Sequence, residues 1–181
     1  MMILSPKQRG VALGAAGAAM SCLGFLWMAV HFNPLAYSDS LALQQRLSVA
    51  LYANLFLTLC LTVAIGRLAN HRFFTPDDID GGGLTSGTDQ AKVLQALLQN
   101  TLEQVVLASL VYMASAILLP ASWLSAVPVA ALLFAAGRFA FFATYKRGAV
   151  ARAFGFGLTF YPSVGLLLCL IFAGLRSVGS A

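Results

Sequence analysis

Five long apolar runs, each near the length of a membrane crossing, constrain this chain more than any other feature. They cover residues 10–30, 47–68, 93–119, 123–145 and 154–175. A helix rises 1.5 Å per residue, so about 20 residues cross a hydrocarbon layer of about 30 Å. Inside that layer no water satisfies the backbone, and a run of this kind survives only as a helix. Composition agrees. Only 9% of the 181 residues are charged and the mean hydropathy is +0.84, whereas a soluble domain carries about 25% charged residues. The expected fold class is all-α integral membrane, with five spans.

Lys7 and Arg9 before an alanine-rich stretch give the first run the outline of a secretory signal. It continues through Phe25, Leu26, Trp27 and Met28 with no small-residue cleavage site, and it reads as a retained helix. The net charge of +5 suits topology better than a nucleic-acid partner. With the N-terminus cytoplasmic, Lys7, Arg9, Arg67, Arg72, Lys92, Lys146, Arg147 and Arg152 fall on one side, Arg46 and Arg176 on the other. This is the positive-inside pattern; it puts the C-terminus outside, with a bacterial inner membrane the expected compartment. Cys22, Cys60 and Cys169 lie in three separate runs with no paired spacing, so they read as packing residues, neither a disulfide framework nor a metal site.

The connections are distinct. Trp27, His31, Phe32, Asn33, Pro34 and Tyr37 make an interfacial segment. The longest connection, within 69–91, carries Asp77, Asp78 and Asp80, then Gly81, Gly82, Gly83 and Gly87. It reads as a solvent loop, with a lid over a site as the minority alternative; a calcium loop would need a glutamate at its twelfth position. Thr88 or Asp89 caps the third helix. Pro120 and Pro128 bracket a tight turn, making the third and fourth helices antiparallel neighbours. Glycines at 10, 14, 17 and 24 give the first helix a close-packing face.

Glu103 is the only glutamate and the only acidic residue inside an apolar run. A lone carboxylate in lipid is costly, so it must face protein or water. Lys92, Gln95, Gln99, Asn100 and Glu103 recur at helical spacing. In the fourth run Arg138 and Tyr145 lie two turns apart on one face, and Arg152 precedes the fifth run. Alternating helix direction brings Asn100, Glu103, Arg138, Tyr145 and Arg152 to one depth. One reading is structural: Glu103 and Arg138 form an interhelical ion pair completed by Asn100. The other is functional: the cations hold an anionic small molecule and stabilise a thiolate or oxyanion.

Gln99-Asn100-Thr101-Leu102-Glu103-Gln104 at the start of a span resembles the Asn-x-x-Glu element of the MAPEG family, the membrane-associated proteins of eicosanoid and glutathione metabolism. Arg138 to Tyr145, then Arg152 and Gly155-Phe156, resembles that family's Arg-x-x-Tyr-x-x-x-Tyr run and its later arginine. The resemblance covers about 47–175 and implies a four-helix unit at 46–181, with 1–45 as an added helix and connection. It further implies a homotrimer binding glutathione between subunits. Gln99, Asn100, Glu103, Arg138 and Tyr145 would hold the tripeptide, and Arg152 would stabilise its thiolate. The chain departs from the pattern at Ala96, where an arginine is usual, and at Phe141 and Gln104, where tyrosines are. A glutathione carboxylate loses an arginine there, and Lys92 or Arg72 would have to supply the charge.

The expected function is a glutathione-dependent transferase or peroxidase for a lipophilic substrate. The rival is a non-catalytic subunit binding a lipid, a hydrophobic cofactor or another membrane protein through the glycine-rich first helix. A proton-coupled carrier titrating Glu103 is the third class, supported by that residue alone.

Overall fold

The computed structural model describes residues 4–179, with side chains through 176. It consists of α1 (Pro6–Phe32), α2 (Leu43–Phe74), α3 (Asp89–Leu118), α4 (Ala126–Thr144) and α5 (Ala149–Gly179), with no strand among the described residues. Among the described residues, five spans are long and apolar enough to cross a membrane, and the five expected runs fall on them. The chain is a multi-pass membrane protein.

Local chemistry sets the helix ends. Ser5 opens α1 with a capping box: its hydroxyl accepts from the Gln8 N–H at 3.3 Å, and the Gln8 side chain accepts from the Ser5 N–H at 2.8 Å. α1 closes on Asn33 in the left-handed region, φ 39°. Thr88 caps α3, accepting from the Ala91 N–H at 3.2 Å, so the helix begins at Asp89. Pro128 sits in the first turn of α4, where a missing N–H costs nothing.

In lipid the helices gain little from excluding water, so close approach must supply the packing. The central core accordingly uses small residues, among them Ala50, Ala53, Ala108, Ala116, Ala130 and Ala131, with Leu57, Tyr112 and Phe134 filling the gaps. α4 and α5 touch backbone to backbone: a Cβ on Gly155 would lie 2.6 Å from the Phe141 nitrogen. Gly10, Gly14 and Gly17 of α1 find their partner within the chain, on α5, whereas Gly24 has nothing within 4 Å of an added Cβ. A Cβ on Gly14 would lie 3.1 Å from the Ala153 Cβ, and one on Gly157 only 2.5 Å from the Ala18 Cβ.

Helix alternation gives the bundle two polar ends. At one, Arg46 of α2 donates to the Ala116 carbonyl at 2.8 Å and to that of Leu119, occupying acceptors that the end of α3 leaves open. There, Asn33 accepts from the Ser125 hydroxyl at 2.6 Å, tying the end of α1 to the start of α4. The other end gathers the start of α1, the α2–α3 connection and the α4–α5 turn. The connection is not an open loop. Pro76–Asp78 form a 3₁₀ turn that leaves Asp78 only 1% exposed.

Replacing Gly155 by alanine is expected to cost about 1–3 kcal/mol through backbone overpacking. Gly66, in α2, has nothing within 4 Å of an added Cβ; Gly66→Ala should be neutral or stabilise by up to about 1 kcal/mol. Equilibrium unfolding in mixed detergent micelles checks both signs.

Candidate functional site

The site end is organised around Arg138, which is 1% exposed in the middle of the bundle. Its guanidinium donates to Asn100 Oδ1 of α3 at 2.8 Å and to Thr159 Oγ1 of α5 at 2.6 Å. Thr159 passes its own hydrogen to the Phe156 carbonyl at 2.7 Å. The Phe141 ring centroid lies 4.5 Å from the guanidinium carbon and that of Phe134 lies 5.7 Å away. Neutral acceptors and aromatic faces thus replace a counter-ion. Phe141, where the family pattern has tyrosine, is one of those faces.

The Glu103–Arg138 ion pair expected from the sequence does not form in this chain. The buried stripe of α3 runs through Leu97, Thr101, Gln104, Val105 and Ala108, which turns Glu103 onto the flank. There it is exposed and accepts from Gln99 Nε2 at 2.9 Å. Asn100, nearer the stripe, takes the guanidinium. Because a guanidinium only donates, the atom facing it must be the Asn100 oxygen, and the amide NH₂ is left to donate elsewhere.

A cavity of about 620 Å³ opens beside this cluster. Gln99, Asn100 and Glu103 line it from α3, with Tyr145 and Arg152 opposite. The Arg152 guanidinium carbon lies 4.3 Å from the Tyr145 ring centroid. Gly148, at φ 96°, allows the sharp turn between the two residues. Phe141, Phe156 and Ala153 make the wall apolar, and α1 adds Val11 and Ala15. Of the residues singled out in the sequence, Gln99, Asn100, Glu103, Tyr145 and Arg152 line one space. Arg138 does not; it stands behind Asn100 and fixes it. Thr159, Val11 and Ala15 were not anticipated. Thr159 follows Arg152 by two helical turns, and a hydroxyl at that spacing was the available signal.

Outside the membrane span, a second polar cluster holds the α2–α3 connection. The Asp78 carboxylate accepts from the Thr88 N–H at 2.8 Å, the Thr88 hydroxyl at 2.6 Å and His71 Nε2 at 2.9 Å. The Thr88 hydrogen bonds, then His71, hold the Asp78 carboxyl below its ordinary value. The depressed group therefore stabilises the connection above pH 3.8, and that contribution is lost as pH falls through the lower folded value.

A family model described as the MAPEG family matches residues 47–172. The matched stretch takes in most of α2, all of α3 and α4 and most of α5, and leaves out α1. No curated protein and no solved structure matches the chain.

Thr159→Val removes one charge-assisted acceptor from Arg138 and is expected to cost about 1.5–3 kcal/mol, read from unfolding in mixed micelles. In the connection, the hydrogen-exchange protection factor of the Thr88 amide should hold steady above about pH 4 and fall below that. Asp78→Asn should abolish this pH dependence.

Proposed function

The chain belongs to the MAPEG family, and from that premise we propose that it is a glutathione-dependent transferase or peroxidase acting on a lipophilic substrate in the membrane. The observation that carries the reading is the Arg152–Tyr145 pair, 4.3 Å from guanidinium carbon to ring centroid, on the wall of a cavity also lined by Gln99, Asn100 and Glu103. Glutathione is a tripeptide with two carboxylates, an ammonium and a thiol, and this donor set suits it. Glu103 offers a carboxylate to the ammonium. The free Asn100 amide and Gln99 can donate to peptide or carboxylate oxygens. Phe141, Phe156, Val11 and Ala15 supply an apolar surface for the second substrate.

Bound glutathione would supply a sulfur nucleophile that displaces a leaving group from an electrophilic carbon, or that takes the outer oxygen of a hydroperoxide by breaking its O–O bond and releasing the alcohol. In the latter case a second glutathione thiol then gives the disulfide and water. Arg152 holds negative charge on that sulfur, since an adjacent cation favours the thiolate, and the proton leaves to solvent. Tyr145 keeps Arg152 in place through its ring face and can donate its hydroxyl to developing negative charge. Arg138 acts at one remove: it holds Asn100 so that only the amide NH₂ is free to bind.

We extend the proposal to a homotrimer. An exposed Glu103 carboxylate, ion-paired with none of the described residues, is poorly suited to lipid, and a neighbouring subunit over the cavity mouth would cover it.

Purified protein should bind glutathione saturably and show thiolate absorbance. Arg152→Ala should remove that absorbance and lower kcat by about 10²–10³-fold, the cost of removing a charge-stabilising donor. Arg138→Ala should weaken binding. No binding at millimolar glutathione would instead favour the non-catalytic subunit.

A further inference from the structure

A larger cavity, of about 850 Å³, lies between the end of α2, the connection after it and the first turns of α3. Arg72, Lys92, Gln95 and Gln99 line it, facing Gly81, Gly82 and Gly83. We propose that this cavity is an anion-binding subsite. It takes the carboxylate or phosphate end of a soluble ligand whose reactive end lies beside Arg152 and Tyr145.

Three observations carry this. The first is unspent positive charge. Arg72 is half-buried, and among the described residues its side chain hydrogen-bonds only the neutral Gln95, at 3.2 Å. Its fork therefore keeps donors for a bidentate acceptor. Lys92 faces Asp89 at 3.8 Å, but both side chains are exposed and such a pair is worth little. Asp78 also lines the cavity, yet its carboxylate is already engaged by Thr88 and His71.

The second observation is a built cradle. Gly81, at φ 82°, turns the chain so that bare backbone runs beside the guanidinium; a Cβ on Gly82 would lie 3.7 Å from Arg72 Nη2. Side chains there would fill the space an anion needs. The Asp78 bonds hold this connection in place, so the cradle is formed before a ligand arrives.

The third is continuity. Ala96 and Gln99 belong to the walls of both cavities. Ala96 presents only a methyl at the shared wall, at the position where the family pattern carries an arginine. The charge absent from that wall is available one cavity further on, at Arg72 and Lys92. This inference rests on the glutathione reading for the identity of the ligand, while the anion subsite itself does not.

The test uses the full chain in phosphatidylcholine nanodiscs, with glutathione and inorganic phosphate as probes. Arg72→Gln/Lys92→Gln should weaken glutathione binding about tenfold or more while leaving the pH of thiol ionisation unchanged. Phosphate should compete with glutathione and raise the melting temperature of the parent protein at fixed ionic strength. It should do neither in the double variant. Arg72→Lys, which keeps the charge, should retain part of the affinity, which separates loss of charge from loss of stability in the double variant. Equal glutathione affinity in parent and double variant would overturn the inference. So would phosphatidylglycerol discs that block glutathione in the parent but not in the variant, since the cavity would then be a headgroup seat. Phosphate binding that depends on Arg72 and Lys92, with no glutathione binding at all, would uphold the subsite and overturn the glutathione reading.

Discussion

A guanidinium with no carboxylate beside it, enclosed among apolar helices, is the constraint on which the site end depends. In so apolar a setting a charge must be met at once by acceptors and polarisable faces, because water is not there to do it. Arg138 meets Asn100 from α3, Thr159 from α5 and the rings of Phe134 and Phe141 on its own helix. Rotating any of the three helices breaks a contact that nothing else replaces. The same bonds fix which atom of Asn100 faces the cavity, so the interaction that sets the register also sets the chemistry on offer.

The surrounding packing serves that geometry. Gly155 lets α5 meet α4 at backbone distance, which brings Arg152 to the ring of Tyr145. α1 lies outside the stretch shared with the family, yet it is bound to the bundle at both levels. Its small residues nest on α5, and Asn33 reaches Ser125 at the far end. Through Val11 and Ala15 it also becomes part of the cavity wall. A helix outside the matched stretch thereby contributes to the cavity wall.

The spans were legible because hydrocarbon leaves a long apolar run one conformation. The common depth of Asn100, Glu103, Tyr145 and Arg152 was legible too, since alternating helices return the same ends to the same side. What lay out of reach was rotation. The charges of Glu103 and Arg138 suggest a pair, but the stripe of Leu97, Thr101 and Ala108 decides which way α3 turns, and it favours Asn100. Three aspartates in one turn look alike on paper; a 3₁₀ turn beside Thr88 and His71 selects Asp78 for burial. The partner of the α1 glycines was likewise hidden, because a small-residue face states how closely a helix can pack and not against what.

That last pairing bears on how the protein is made. Cys22 of α1 meets the Gly157 carbonyl of α5 across 135 residues of sequence. α1 therefore leaves the ribosome well before α5, the helix on which it docks. Until α5 has been threaded into the bilayer, the seam at Gly10, Gly14 and Ala18 stays open to lipid. Assembly at this seam thus follows insertion of α5, and completing the inner cavity, with Val11 and Ala15 in its wall, waits on the synthesis of that helix.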